Sequence, residues 1–297
     1  MTGPRATLRP VGIGHLVQGT HACDGEPATT ESLVGDLAST RRRTVEILRE
    51  CRRLGLVTQP TTDRWDISEV GTEFLAHVAH ERWTAAGELL RERSAHYRAF
   101  LQGLQQLGPV AEAPLLEHVD ATDGGGERAY NITSIQVMAD WGERLGQVQR
   151  HAFDDLLYPV ERDADVGGWA AELVSTYRRW TLDEPSRLAR RYLSIPRLRE
   201  DWCAGHRCSR DLFDRFLTSL AASNVGKVEV SGAPLDTDVK QAVRAIKTIE
   251  VVDSDALIAT SQSAERVLDG IEIYGKRYYF LAIFEGELTE VEVQQHE

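Results

Sequence analysis

A chain of 297 residues with a net charge of −12, 42% hydrophobic and 27% charged, has the composition of an ordinary folded protein and excludes disordered and fibrous classes. Its length predicts two or three small cores, and its acidity excludes polyanion binding through the global field, so any nucleic-acid contact requires a local basic patch. No stretch reaches the roughly 20 apolar residues that span a bilayer, and MTGPRATLRPVGIGHL lacks a hydrophobic signal core, so a cytoplasmic chain without a membrane partner is expected.

In chain order, a first helix is expected within 11–20. The stretch 30–57 then predicts two short amphipathic helices meeting at a turn: Leu33 and Leu37 lie at i, i+4, and Val45, Leu48, Cys51 and Leu54 recur at helical spacing. Thr29 or Thr30 can cap the first, Ser39 or Thr40 the second, and Gly55 stands where a helix ends before Leu56 and Val57. Pro60 and Asp63 punctuate a turn between LVTQ and RWDI, the arms of a short hairpin. Ser68 caps a closing helix carrying Val70, Phe74, Leu75 and Val78.

The pattern LxxxLxSTxxxTVxxLxxxxxLGLV, followed by a polar turn and WDISxxGxxFL, resembles the winged helix-turn-helix of bacterial and archaeal regulators. The spacing, the LGLV exit, the wing and the post-wing Gly71 all agree, over about fifty residues. The resemblance implies that the second of the paired helices enters the major groove and presents its N-terminal side chains to base edges. Those side chains are Arg41, Arg42, Arg43 and Glu46.

Between positions 41 and 53 stand six arginines against two glutamates, the local basic patch that the global charge requires. Arg41 and Arg43 are the candidates for base edges, because a guanidinium can pair bidentately with guanine; Arg42, Arg49 and Arg53 are the candidates for phosphates. Arg64 at the wing can reach the adjacent backbone or minor groove, with Thr61 and Thr62 as hydroxyl donors. The alternative is a solvated face whose Arg and Glu side chains pair at i, i+4, such as Arg42 with Glu46.

Similar plans recur further on. RLGQV at 144–148 parallels RLGLV at 53–57 and closes a second unit whose Asn131, Thr133, Ser134 and Gln136 could touch DNA, although Asp140 and Glu143 follow them. A third version is expected from Leu193, where Leu212, Phe213, Phe216, Leu217 and Leu220 form an apolar stripe before VGKVEV. Its Arg207, Arg210 and Arg215, alternating with Asp211 and Asp214, read as a solvent-facing helix. The tail, IEVV and then GIEIYGKRYYFLAIFEG, predicts strands with a turn at YGKR, either an enlarged wing or a small α+β cap. The expected fold is mainly α with small β-hairpins: tandem winged-helix domains over 1–82, 83–160 and 161–297, the last carrying the C-terminal α+β cap.

Catalytic signatures are weak. Cys203, His206 and Cys208 would need a fourth ligand for zinc and read as two semi-buried thiols flanking a turn. His77, His80 and Glu81 lack the HExxH order, and Asp269, Glu272 and Lys276 are poorly spaced for a metal-dependent nuclease. Tyr274, Tyr278, Tyr279, Phe280 and Phe284 could stack bases but fit a core or subunit contact better. Cys23, Cys51, Cys203 and Cys208 are expected as free thiols. The sequence therefore reads as a non-catalytic protein without metal or cofactor. Its expected partner is double-stranded DNA, as a transcriptional regulator or as the recognition subunit of a restriction or phage-defence system. The alternative is an interaction scaffold binding a protein partner or itself.

Overall fold

The structure, a computed structural model, describes residues 6–123, 128–161, 164–183, 192–232, 267–284, 287–291 and 293. The Gly-rich break at 124–126 and the IEVV stretch at 249–252 lie outside them. The chain is mainly helical with small sheets, all antiparallel except one two-stranded parallel pair, and it divides into two compact units. The first takes the described residues to Arg150 with Leu156–Pro159; the second takes His151–Asp155 and the described residues from Val160 onward.

The first unit opens with β1 (Ala6–Thr7), α1 (Ile13–His21), β2 (Ala28–Thr29), α2 (Thr30–Asp36) and α3 (Arg41–Arg53). The hairpin β3 (Val57–Thr61) and β4 (Arg64–Ile67) follows, then α4 (Glu69–Ala79) and α5 (Trp83–Arg93). The expected caps are in place: Thr29 accepts from the Ser32 amide, Thr40 from Arg43 and Ser68 from Gly71, each satisfying an N-terminal N–H that the helix leaves unpaired. β2 and β3 flank β4 in a three-stranded antiparallel sheet. Ile13, Leu16, Leu33, Ile47, Leu48, Trp65 and Phe74 are buried at its core, and the Trp65 indole N–H donates to Thr30 Oγ1 at 3.0 Å.

A related set of elements follows. α6 (Ala95–Leu107), α7 (Glu112–Thr122), β5 (Arg128–Ala129) and α8 (Ile132–Arg144) lead into β6 (Val148–Arg150) and β7 (Leu157–Pro159). The short strand β5 now stands before the third helix and pairs in parallel with β1. β6 and β7 form a two-stranded antiparallel sheet, and Leu157 of β7 also makes an isolated bridge with Val110. The repeated RLGxV is a backbone device. Gly55 and Gly146 hold φ at 77° and 69°, a region where a Cβ is penalised, and in both places the glycine amide and the amide after it bond back to carbonyls of the last turn. That closes the helix and redirects the chain into β3 or β6. The two cores are continuous, and the Trp141 indole N–H donates to the Val11 carbonyl at 2.9 Å.

The second unit contains α9 (Trp169–Asp183), β8 (Leu193–Ser194), α10 (Ile195–His206), α11 (Arg210–Ser223) and β9 (Val228–Ser231). β10 (Ile271–Ile273), β11 (Lys276–Tyr278) and β12 (Phe280–Ile283) complete it. β12 lies between β8 and β9, as β4 lies between β2 and β3, with β10 and β11 as a hairpin turning at Tyr274 and Gly275. The charge alternation on α11 proved misleading: Arg210 and Asp214 are buried, not solvent-facing, because Arg210 pairs with Glu200 at 2.6 Å and Asp214 with Arg199 at 2.7 Å. Cys203 and Cys208 are likewise fully buried, not semi-buried; all four described cysteines are free thiols in the interior. Among the described residues no helix is long and apolar enough to cross a membrane.

Gly71 has a packing role. A Cβ there would stand 2.1 Å from the Leu56 carbonyl oxygen and 2.9 Å from Ile67 Cγ1, so α4 can lie against the α3–β3 exit only without a side chain. Gly71→Ala is expected to lower stability by about 3 kcal/mol through overpacking against backbone, read as a shift of the urea midpoint at unchanged slope. A midpoint within error of the parent would contradict this packing.

Candidate nucleic-acid interface

The helix α3 buries Ile47, Leu48, Cys51 and Leu54 against α1, where Gly19 leaves room: a Cβ on it would come within 2.7 Å of Ile47. With that face fixed, the 3.6-residue period lines up Arg41, Val45, Arg49 and Arg52 in one stripe beside it. The β3–β4 hairpin rises beside them and encloses an open cleft of about 720 Å³. Its walls are Thr30, Arg41, Val45, Arg49 and Arg52 on the helical side and Gln59, Pro60, Thr61, Thr62, Asp63 and Trp65 on the other. Arg52 donates to Gln59 Oε1 at 2.8 Å and Gln59 Nε2 donates to the Thr62 carbonyl at 2.8 Å, which ties the helix to the hairpin turn.

The eight residues expected to touch DNA separate into two groups. Arg41, Arg49 and Arg64 are exposed and, among the described residues, make no side-chain hydrogen bond or ion pair; Thr61 and Thr62 are exposed on the hairpin. Arg42, 90% exposed, pairs with Glu46 at 3.2 Å, the i, i+4 contact anticipated for a solvated face; such exposed pairs contribute little. Arg43 and Arg53 are half-buried and engaged. Arg43 donates to the Pro10 carbonyl at 2.8 Å, and Arg53 pairs with fully buried Glu50 at 2.5 Å, with Arg9 on its other oxygen at 3.5 Å. Sequence reasoning missed Val45, Arg52 and Gln59. The i, i+4, i+8, i+11 stripe held the signal for the two helical residues, once the core face is known.

Three arginines against Asp63 make the cleft a cationic concavity in an acidic chain, with hydroxyls at its rim. Nothing in it resembles a nucleophile with its base. Cys51, on the buried face of α3, and buried Cys23 have their thiols pushed up to about 12 by burial, so they stay protonated.

The corresponding helices of the other copies differ. On α8, Asp140 and Glu143 occupy the places of Arg49 and Arg52; Asp140 pairs with Arg144 at 2.6 Å and lies beside Gly12, and buried Glu143 pairs with Arg150 at 3.0 Å. Ser134 is spent on the Asn131 capping box, and Gln136 donates to Glu112 at 3.0 Å. On α11, every residue from Arg210 to Ala221 is buried or half-buried.

His206 stacks on Trp202, with centroids 4.4 Å apart, and faces Glu172 at 3.3 Å; Cys203 and Cys208 lie in the interior. His77 faces Glu73 at 3.7 Å, and Asp269 is held by Arg277 at 2.5 Å, away from a nuclease-like grouping with Lys276. Tyr274 stands 93% exposed at its turn, whereas Tyr278, Tyr279, Phe280 and Phe284 are half-buried. Among the described residues, His151, Asp154 and Asp201 bring three possible metal ligands within 4.8 Å. Arg197 already holds Asp201 at 3.0 Å and Asp154 at 3.6 Å, while His151 Nδ1 accepts the Asp154 amide at 3.0 Å. The guanidinium supplies the positive charge there. Comparison with family models, curated proteins and solved structures gave no match.

Proposed function

We propose that the chain is a cytoplasmic duplex-DNA-binding protein that docks α3 in the major groove and lays the β3–β4 hairpin along the flanking backbone, in the manner of a winged helix. The observation that carries this reading is the cleft between α3 and the hairpin, where Arg41 and Arg49 lie exposed beside Arg52, without a side-chain partner among the described residues. Exposed guanidinium groups on a helix with hydroxyls alongside suit phosphates and guanine edges. In biological terms this is a transcriptional regulator or the recognition subunit of a DNA-handling assembly, without catalysis or cofactor of its own. The second and third copies serve as framework and as contacts to a protein partner or a second copy, because their corresponding helices are acidic or covered.

Retention of random duplex DNA by the purified chain across a salt series, with sequencing of the retained fragments, tests this. An enriched motif with a steep salt slope supports it. No retention even at low salt overturns it and leaves the protein-scaffold reading, for which a partner co-purified from the native host is the positive result.

A further inference from the structure

Resting on the DNA-binding reading above, we propose that Val45 is the specificity-determining residue of this interface and seats on the C5 methyl group of a pyrimidine in the major groove. Val45 is half-buried and lines the cleft, yet it belongs neither to the buried core nor to the partly buried side chains packed against that core. A β-branched side chain in mid-helix lowers helix propensity, so Val45 is not chosen for the helix itself. Its place in the stripe is what distinguishes it. Arg41 stands one turn before it and Arg49 one turn after, and both are exposed.

Eight residues of helix rise about 12 Å, the span of three to four base pairs at roughly 3.4 Å each. Val45 therefore faces the base pair between those that the two arginines reach. In the major groove each of the four bases offers donors or acceptors, and the one apolar group is the C5 methyl of thymine. 5-Methylcytosine places the same methyl at the same point. An apolar side chain between two guanidinium groups gains from that methyl and from no other base edge. The equivalent place on α8 is Gln136, which is bonded to Glu112 at 3.0 Å, so the feature is peculiar to the first copy.

The test uses the full chain. Duplexes are selected from a random library and from the same library made with 5-methylcytosine in place of cytosine. Within the retained motif each C5 methyl is then removed singly, deoxyuridine for thymidine and cytosine for 5-methylcytosine. One position, between those sensitive to Arg41→Ala and Arg49→Ala, is expected to lose affinity about three- to fivefold without its methyl, the worth of one buried methyl group. Val45→Ala is expected to bind both forms equally and Val45→Thr, which keeps one γ-methyl, to retain part of the preference. Alanine favours the helix, and an unchanged thermal midpoint of Val45→Ala checks the fold. A sensitive position in the unmodified library makes thymine the source of the methyl; one found only in the methylated library makes it 5-methylcytosine. The proposal fails if no methyl matters in the motif, or if Val45→Ala keeps the full preference. Failure to retain any duplex overturns the DNA-binding reading itself and this inference with it.

Discussion

Arg41→Ala combined with Arg49→Ala is expected to reduce duplex retention by about two orders of magnitude or more, since each guanidinium paired with a base edge contributes on the order of 1–3 kcal/mol. The log–log salt dependence should become shallower by about one for each phosphate that is no longer neutralised. Stability should barely move, because both side chains are exposed, have no internal partner among the described residues, and yield to the best helix former. Arg53→Ala provides the contrast. It strips the 2.5 Å partner from Glu50, a carboxylate with no exposed surface, and should cost about 3 kcal/mol of stability while leaving the cleft arginines in place. Binding measured below the unfolding transition, beside a denaturant titration of each variant, separates the two roles. If the double variant binds like the parent, α3 is a solvated helix face. If Arg53→Ala abolishes binding while keeping full stability, the partition of the patch into binding and structural arginines is wrong.

That partition is also where sequence reasoning stops. The first copy was legible because its boundaries are written in local chemistry: Thr40 and Ser68 as caps, Gly55 at a positive-φ exit, and Pro60 and Asp63 around the turn. With six arginines in thirteen residues, the whole of α3 outside its buried face is basic, so composition alone cannot say which arginine points where. The deciding partners come from afar: the Pro10 carbonyl lies 33 residues from Arg43, and Arg9 reaches Glu50 from outside the helix. Val45 fits the apolar spacing of the helix and yet faces the cleft, because the core face of α3 is set by the close approach of Gly19. The third sheet was hidden for another reason. β12 pairs with β8 and β9 across long stretches of chain, and such pairings leave no local mark beyond alternation. The α11 charges misled because alternating Arg and Asp looks the same whether water or Glu200 and Arg199 answers them.

The buried pairs on α10 and α11 carry the second large effect. Arg210 Nε and one of its terminal nitrogens reach both oxygens of Glu200 at 2.6 and 2.7 Å, with both side chains essentially without exposed surface. Glu200 also accepts the Ala152 amide at 2.9 Å. Arg199, fully buried, reaches Asp214 at 2.7 Å and the Asp269 carbonyl at 2.7 Å, holding the segment before β10 against α10. Removing one partner of such a pair leaves a charge in the interior that neither water nor a counter-ion can reach. Arg210→Met is therefore expected to destabilise the second unit by about 3–5 kcal/mol. Adding Glu200→Leu should recover most of that deficit, because the stranded carboxylate is gone. It should stop short of the parent by about 1–3 kcal/mol, the cost of leaving the Ala152 amide unpaired. Trp169 and Trp202 pack in the same core, 5.7 Å apart, so their fluorescence during denaturant unfolding reports the transition. If the single variant is as stable as the parent, water reaches Glu200 and the pair is not an interior one. If the double variant is no better than the single one, Arg210 contributes through its packed length and not through its charge.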